Sequence, residues 1–170
     1  MSKAFTREDD LGELAPLPRL ISPLMTGTRN YLTPTGSREL HGELTYLREA
    51  RKPLLVTAAA KDVGAREELQ TIERRIAYLA QSLSSAEVVP PPDATDDRVR
   101  FGATVAVRDP YGESTEYRIV GVDEANPARN WVSWQSPIAR VLLNARLEER
   151  VPFKFPAGET ELEVVSISYD

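Results

Sequence analysis

Leu69-Gln70-Thr71-Ile72-Glu73-Arg74-Arg75-Ile76-Ala77-Tyr78-Leu79-Ala80-Gln81-Ser82-Leu83 is the stretch on which the fold turns. Leu69, Ile72, Ile76, Leu79 and Leu83 step by three, four, three and four residues, so a helix here carries one narrow apolar stripe, flanked by Glu67, Glu68, Glu73, Arg74 and Arg75. A stripe this narrow needs one partner helix. The partner lies just upstream, where Leu40, Leu44, Leu47, Arg51, Leu54 and Ala58 recur at spacings of four and three, a seam with one basic interruption. Thr33-Pro34 starts that helix, with a capping hydroxyl followed by a proline whose missing N–H costs nothing at the first position. Pro53 falls inside the run and is expected to kink the helix while leaving the seam in phase. Lys61-Asp62-Val63-Gly64 between the two runs is short and glycine-containing, as a helix-helix turn requires. The prediction is an antiparallel coiled-coil hairpin over residues 33–88, with a second arm roughly 30 Å long and a tip at Asp62 to Arg66.

Outward from the hairpin the pattern changes on both sides. Residues 1–32 mix acids, prolines and scattered leucines with no period, and read as a flexible tail. Pro90-Pro91-Pro92-Asp93 cannot continue a helix, so residues 89–97 read as a proline-rich linker. Beyond it the period becomes two. Thr104 to Arg108 and Thr115 to Val120 form a hairpin about an Asp109-Pro110-Tyr111-Gly112 turn, and Trp131 to Trp134 gives another short strand. Ser136-Pro137 caps a short helix, and Val151 to Phe155 with Leu162 to Ile167 close a small antiparallel sheet whose apolar face that helix covers. The expected fold class is α+β, a helical hairpin followed by a separate sheet domain at 98–170.

Composition removes most enzyme classes. There is no cysteine and a single histidine, His41, so thiolate zinc sites, disulfides and Cys/His catalytic pairs are excluded. His41 has no second ligand beside it and reads as a solvated surface residue. Net charge is −5, residues 34–87 carry equal numbers of acids and bases, and residues 96–170 carry more acids than bases. No segment has the basic excess that autonomous binding to DNA phosphates needs, so a protein partner fits better. No apolar run is long enough to span a bilayer and MSKAFTREDD lacks a signal-peptide core, so the expected location is the cytoplasm.

Tyr117-Arg118-Ile119-Val120-Gly121-Val122-Asp123-Glu124, together with the order of hairpin, linker and sheet, resembles the Gre transcript cleavage and elongation factors. Phe101 to Val105 is similar to that family's opening strand, Ser133-Trp134-Gln135-Ser136-Pro137-Ile138-Ala139-Arg140 to its Ser-Pro segment, and Pro156 to Glu159 to its closing turn. Ser2 to Thr6 and Tyr31 to Pro34 are similar to the GreB branch in particular. The resemblance implies an FKBP-like C-terminal domain that docks on bacterial RNA polymerase, and a coiled coil that enters the polymerase secondary channel. It implies an accessory factor, expected to be monomeric, that meets nucleic acid only through the transcription complex and leaves catalysis to the polymerase. Ser133, Gln135, Ser136, Pro137 and Arg140 are the implied docking residues, with Gln135 standing where an Asp or Asn is usual. The structural role expected first of Ser136-Pro137 is capping of the short helix, which does not exclude contact. The FKBP-like fold does not bring prolyl isomerase activity with it, because no aromatic-lined pocket motif is legible.

In the family, two tip acids help to hold a magnesium ion in the polymerase active site, where hydrolysis of backtracked RNA uses two metals. The candidates here are Asp62 and Glu67, in Lys61-Asp62-Val63-Gly64-Ala65-Arg66-Glu67-Glu68, which lacks the family's Asp-x-x-Glu-Asn spacing. The hairpin is also shorter by about one turn per arm, a deficit of roughly 5 to 6 Å against a ligation distance of about 2.1 Å. A purely structural role for Asp62 is to cap the second helix, with Glu67 and Glu68 favoured by its N-terminal dipole. The expectation is therefore binding with weak or no stimulation of cleavage. The alternatives are an active GreB-type factor working through Asp62 and Glu67, and a short-armed relative like the nucleoside diphosphate kinase regulators. Arg48, Arg51 and Lys52 on one arm and Arg74 and Arg75 on the other are candidates for contacts with RNA or the channel wall, or for ion pairs on a solvated face. Trp131 and Trp134 are expected on opposite sides of a strand, one in the core and one as a contact anchor.

Overall fold

The computed structural model of the chain describes residues 27–93 and 96–169. Most of the expected tail, residues 1–26, and two linker positions, 94–95, lie outside the described residues. The tail reading is corrected at its end. Asn30–Leu32 is a strand, β1, with Asn30 and Leu32 buried, and it pairs in parallel with β2, Ala86–Val88, at the far end of the helical region. The chain thus enters and leaves the helical region side by side, with Val89 donating to the Leu32 carbonyl at 2.9 Å.

α1, Pro34–Tyr46, begins as its sequence dictates: Thr33 caps it by accepting from the Gly36 N–H at 2.9 Å, and Pro34 occupies the first helical position. A π-helical segment, Leu47–Arg51, then leads without a break into α2, Lys52–Ala59. This corrects the seam. Lys52 donates to the Leu47 carbonyl, five residues back, and the wider coil makes room for the Pro53 ring, which would otherwise press on the preceding turn. The extra residue moves the stripe along by one position. Leu55 is buried and Ala59 packs with it, while Leu54 is 66% exposed and Ala58 is also exposed. Leu55→Ala is therefore expected to cost about 2–4 kcal/mol in chemical unfolding, and Leu54→Ala less than about 0.5 kcal/mol; the reverse order would contradict the shifted phase.

Asp62 then caps α3, Val63–Ser85, accepting from the Ala65 N–H at 2.9 Å. Ile72 and Leu79 are buried, and Leu69, Ile76 and Leu83 pack around them against Leu40, Leu47 and Leu55 of the first arm. Across the arms Arg75 holds Glu43 through two bonds of 2.7 and 2.9 Å, Lys52 pairs with Glu73 at 2.9 Å, and Arg51 pairs with Glu68.

The C-terminal sheet has the order β5-β4-β3-β7-β6, from β3 (Thr104–Arg108), β4 (Ser114–Val120), β5 (Trp131–Ser133), β6 (Arg150–Phe155) and β7 (Gly158–Ser168). It is mixed rather than purely antiparallel, because β5 runs parallel to β4, with Ile119 opposite Val132. The connection from Gly121 to Asn130 carries the chain back before β5 starts, through one-turn 3₁₀ helices at Val122–Glu124 and Pro127–Arg129. α4, Pro137–Leu142, buries Ile138, Ala139 and Leu142 over Val105, Val107, Ile119 and Val164.

The first 3₁₀ helix meets the base of the helical region. Oε2 of Glu124 accepts from the Thr33 and Gly121 N–H groups, both at 2.9 Å, and Oε1 accepts from the Thr33 hydroxyl. Asp123 accepts from the Tyr78 phenol and the Ser82 hydroxyl of α3, and Asn30 donates to the carbonyl and hydroxyl of Ser82 at 2.9 and 3.0 Å. Asp123 and Glu124 are both buried. Burial, then the bond to Asp123, pushes the Tyr78 phenol far above its usual range, so it stays protonated as a donor.

Candidate functional site

At the tip, Asp62 and Glu67 are both exposed. One Asp62 oxygen is engaged by the Ala65 N–H, and Arg66 donates back across the turn to the Ala59 carbonyl at 2.6 Å, closing the end of α2. Glu67 lies five positions beyond Asp62, roughly 140° away around the helix axis. The two acids therefore do not face one point. Among the described residues no group of three His, Cys, Asp or Glu side chains is placed to hold a metal. Glu68, next to Glu67, is committed to Arg51.

Of the five basic candidates on the arms, Arg51, Lys52 and Arg75 are used in the inter-arm ion pairs. Arg75 is the most enclosed, and its guanidinium is held above its ordinary pKa chiefly by the Glu43 carboxylate. Arg48 and Arg74 stand exposed, on opposite arms. His41 is exposed, with Nδ1 2.8 Å from the Ser37 carbonyl oxygen.

The Ser-Pro segment lies between β5 and α4. Ser133 accepts from the Gln135 N–H at 3.2 Å, Ser136 donates its N–H to the Ser133 carbonyl at 2.8 Å, and the Ser136 hydroxyl caps α4 by accepting from Ala139 at 3.3 Å. This tight turn leaves Pro137 and Arg140 exposed on one short helix, with Ser133, Gln135 and Ser136 half-buried behind them. The structure brings all five docking candidates together. It also shows two buried donors without hydrogen-bond partners here, Trp134 Nε1 and Gln135 Nε2. The tryptophans are sorted. Trp134 packs on the C-terminal core and against Tyr31, ring centroids 5.3 Å apart, while the guanidinium groups of Arg118 and Arg129 lie over the Trp131 ring, 4.9 and 5.1 Å from its centroid.

Sequence reading missed an aromatic-lined cavity of about 680 Å³ between the β3-β4 and β6-β7 hairpins, with Tyr111, Tyr117, Phe153 and Phe155 in its walls and Asp109, Glu113, Glu159 and Glu161 around them. Its walls come from strands distant in sequence, so no local motif announces it. The only trace is the aromatic alternation of Phe153 and Phe155.

These parts match known proteins. Residues 94–169 match the family described as transcription elongation factor, GreA/GreB, C-terminal. Over 160 aligned positions the chain is 38% identical to transcription elongation factor GreB of Neisseria meningitidis serogroup B, covering 86% of this chain and 98% of that protein. It is 36% identical over 159 positions to GreB of Pseudomonas aeruginosa, covering 86% and 95%. Among solved structures, Gfh1 of Thermus aquaticus is 28% identical and covers 82% of this chain and 99% of that one, with a TM-score of 0.41. The chain belongs to the GreA/GreB family of transcription elongation factors. Both relatives named here are GreB factors.

Proposed function

We propose that this chain is an accessory factor that docks on bacterial RNA polymerase through an FKBP-like C-terminal domain, places a coiled-coil hairpin in the secondary channel, and stimulates cleavage of backtracked RNA weakly or not at all. Docking falls to Ser133, Gln135, Ser136, Pro137 and Arg140, which lie close together along the turn from the end of β5 into α4. In this reading the factor acts as a cytoplasmic monomer, meets nucleic acid only inside the transcription complex, and performs no chemistry of its own.

The observation that carries the weak-cleavage half is the tip. One oxygen of Asp62 is used in the α3 cap, Glu67 lies five positions further along the helix, and Lys61 and Arg66 stand next to them in the chain. Any magnesium held at the polymerase centre therefore receives no paired carboxylates from this arm. The test is a stalled, backtracked elongation complex incubated with the full chain: binding without release of short 3′ RNA fragments is expected.

A further inference from the structure

We propose that Asp123 and Glu124 are positioning residues, two adjacent carboxylates that grip both helical arms at their base and thereby fix the direction in which the tip points. Neighbouring positions on one 3₁₀ turn send their side chains apart, and here each finds a different arm: Glu124 the start of α1 through Thr33, Asp123 the end of α3 through Tyr78 and Ser82. Both arms are held from one rigid point. The Gly121 N–H bond to Glu124 ties that point to the end of β4, and so to the C-terminal sheet.

Apolar packing does not supply this restraint by itself. The buried core of the helical region and that of the C-terminal domain are separate clusters, bridged at the junction by the Tyr31 ring against Phe101 and Trp134. Hydrogen bonds to carboxylates are directional and among the stronger neutral-to-charged contacts, and a buried carboxylate stripped of its donors is heavily disfavoured. The junction therefore holds one arrangement rather than a range. Gly36 reveals how closely it is fitted, because a Cβ there would overlap the Glu124 side chain.

The lever is long. From Ser82 to Val63 the arm extends about 28 Å, so a tilt of about 10° at its base displaces the tip by roughly 5 Å, a full helical turn. If the hairpin enters a channel, as in the docking reading above, it cannot tolerate that freedom.

The chain has no cysteine, so Lys61→Cys at the tip and Glu116→Cys on β4 introduce the only two spin-labelling sites. In the otherwise unaltered full chain, electron-spin distance measurement should give a single narrow distance. Glu124→Ala, and separately Gly36→Ala, should each lose that single distance and spread over a broad distribution while the far-UV helical signal is kept. A single distance retained in a folded variant of either kind overturns the proposal. So does loss of the helical signal in both, because the carboxylates would then support the fold rather than its direction. No polymerase is needed, so the result stands apart from the docking reading above.

Discussion

Leu79→Ala should destabilise the helical region by about 2–5 kcal/mol, read as an earlier loss of helical circular dichroism in urea. Leu79 is fully buried, and it shares its cluster with Leu32 of β1, Leu40 and Leu47 of the first arm, and Ile72 one heptad before it. That cluster runs along the seam between the two arms and onto β1, so the methyl groups removed leave a gap in a narrow core. The transfer term alone is about 1.5–3 kcal/mol for such a side chain, and the residual cavity adds to it. A loss below about 1 kcal/mol would mean that the two arms do not pack along this stripe.

Gly121→Ala should cost at least about 3 kcal/mol, at the upper end of overpacking effects, and by a different mechanism. Gly121 has an ordinary φ of −63°, so backbone strain is not the reason. A Cβ there would overlap the carbonyl oxygen of Tyr31, lie 2.8 Å from Oε2 of Glu124 and 3.1 Å from Cδ2 of Leu32. The first obstacle is backbone, so relief requires β1 to move away from the turn that holds Glu124. Gly42→Ala is the contrast, with open space around the added methyl on a helix, and should gain about 0.5–1 kcal/mol. Equal effects at the two glycines in thermal unfolding would show that the junction is not closely fitted.

The parts of this fold that could be read from the sequence are those encoded by side-chain period. Leu69 through Leu83 mark α3 because each apolar residue occupies one face, and Val105 and Val107 mark β3 because alternate residues point inward. The shift from Leu54 to Leu55 could not be read in the same way. Pro53 announces a disturbance, but whether the helix kinks in phase or takes in a π segment is decided by backbone hydrogen bonds that no side chain reports. The parallel pairing of β5 was hidden for a similar reason: three residues show alternation but not direction. At the tip, the cap at Asp62 was legible from the turn, whereas the bond from Arg66 to Ala59 depends on the path of the chain around it.

The junction is the clearest case of function hidden by locality. Asp123 and Glu124 stood in the sequence only as the end of the Tyr117 to Glu124 stretch, yet both are buried, and besides the Gly121 N–H their donors lie 41 to 91 positions away. The signal that was available is the pair of glycines, Gly36 just inside α1 and Gly121 just before the acids, each where a side chain would collide.

The most direct measurement is the RNA product pattern of a stalled, backtracked elongation complex challenged with the full chain and with Asp62→Ala and Glu67→Ala. The expected outcome is that the chain binds the complex, that short 3′ fragments stay near the level of polymerase alone, and that neither substitution changes them. Strong fragment release that disappears in either variant, or failure of the chain to bind the polymerase at all, would contradict it.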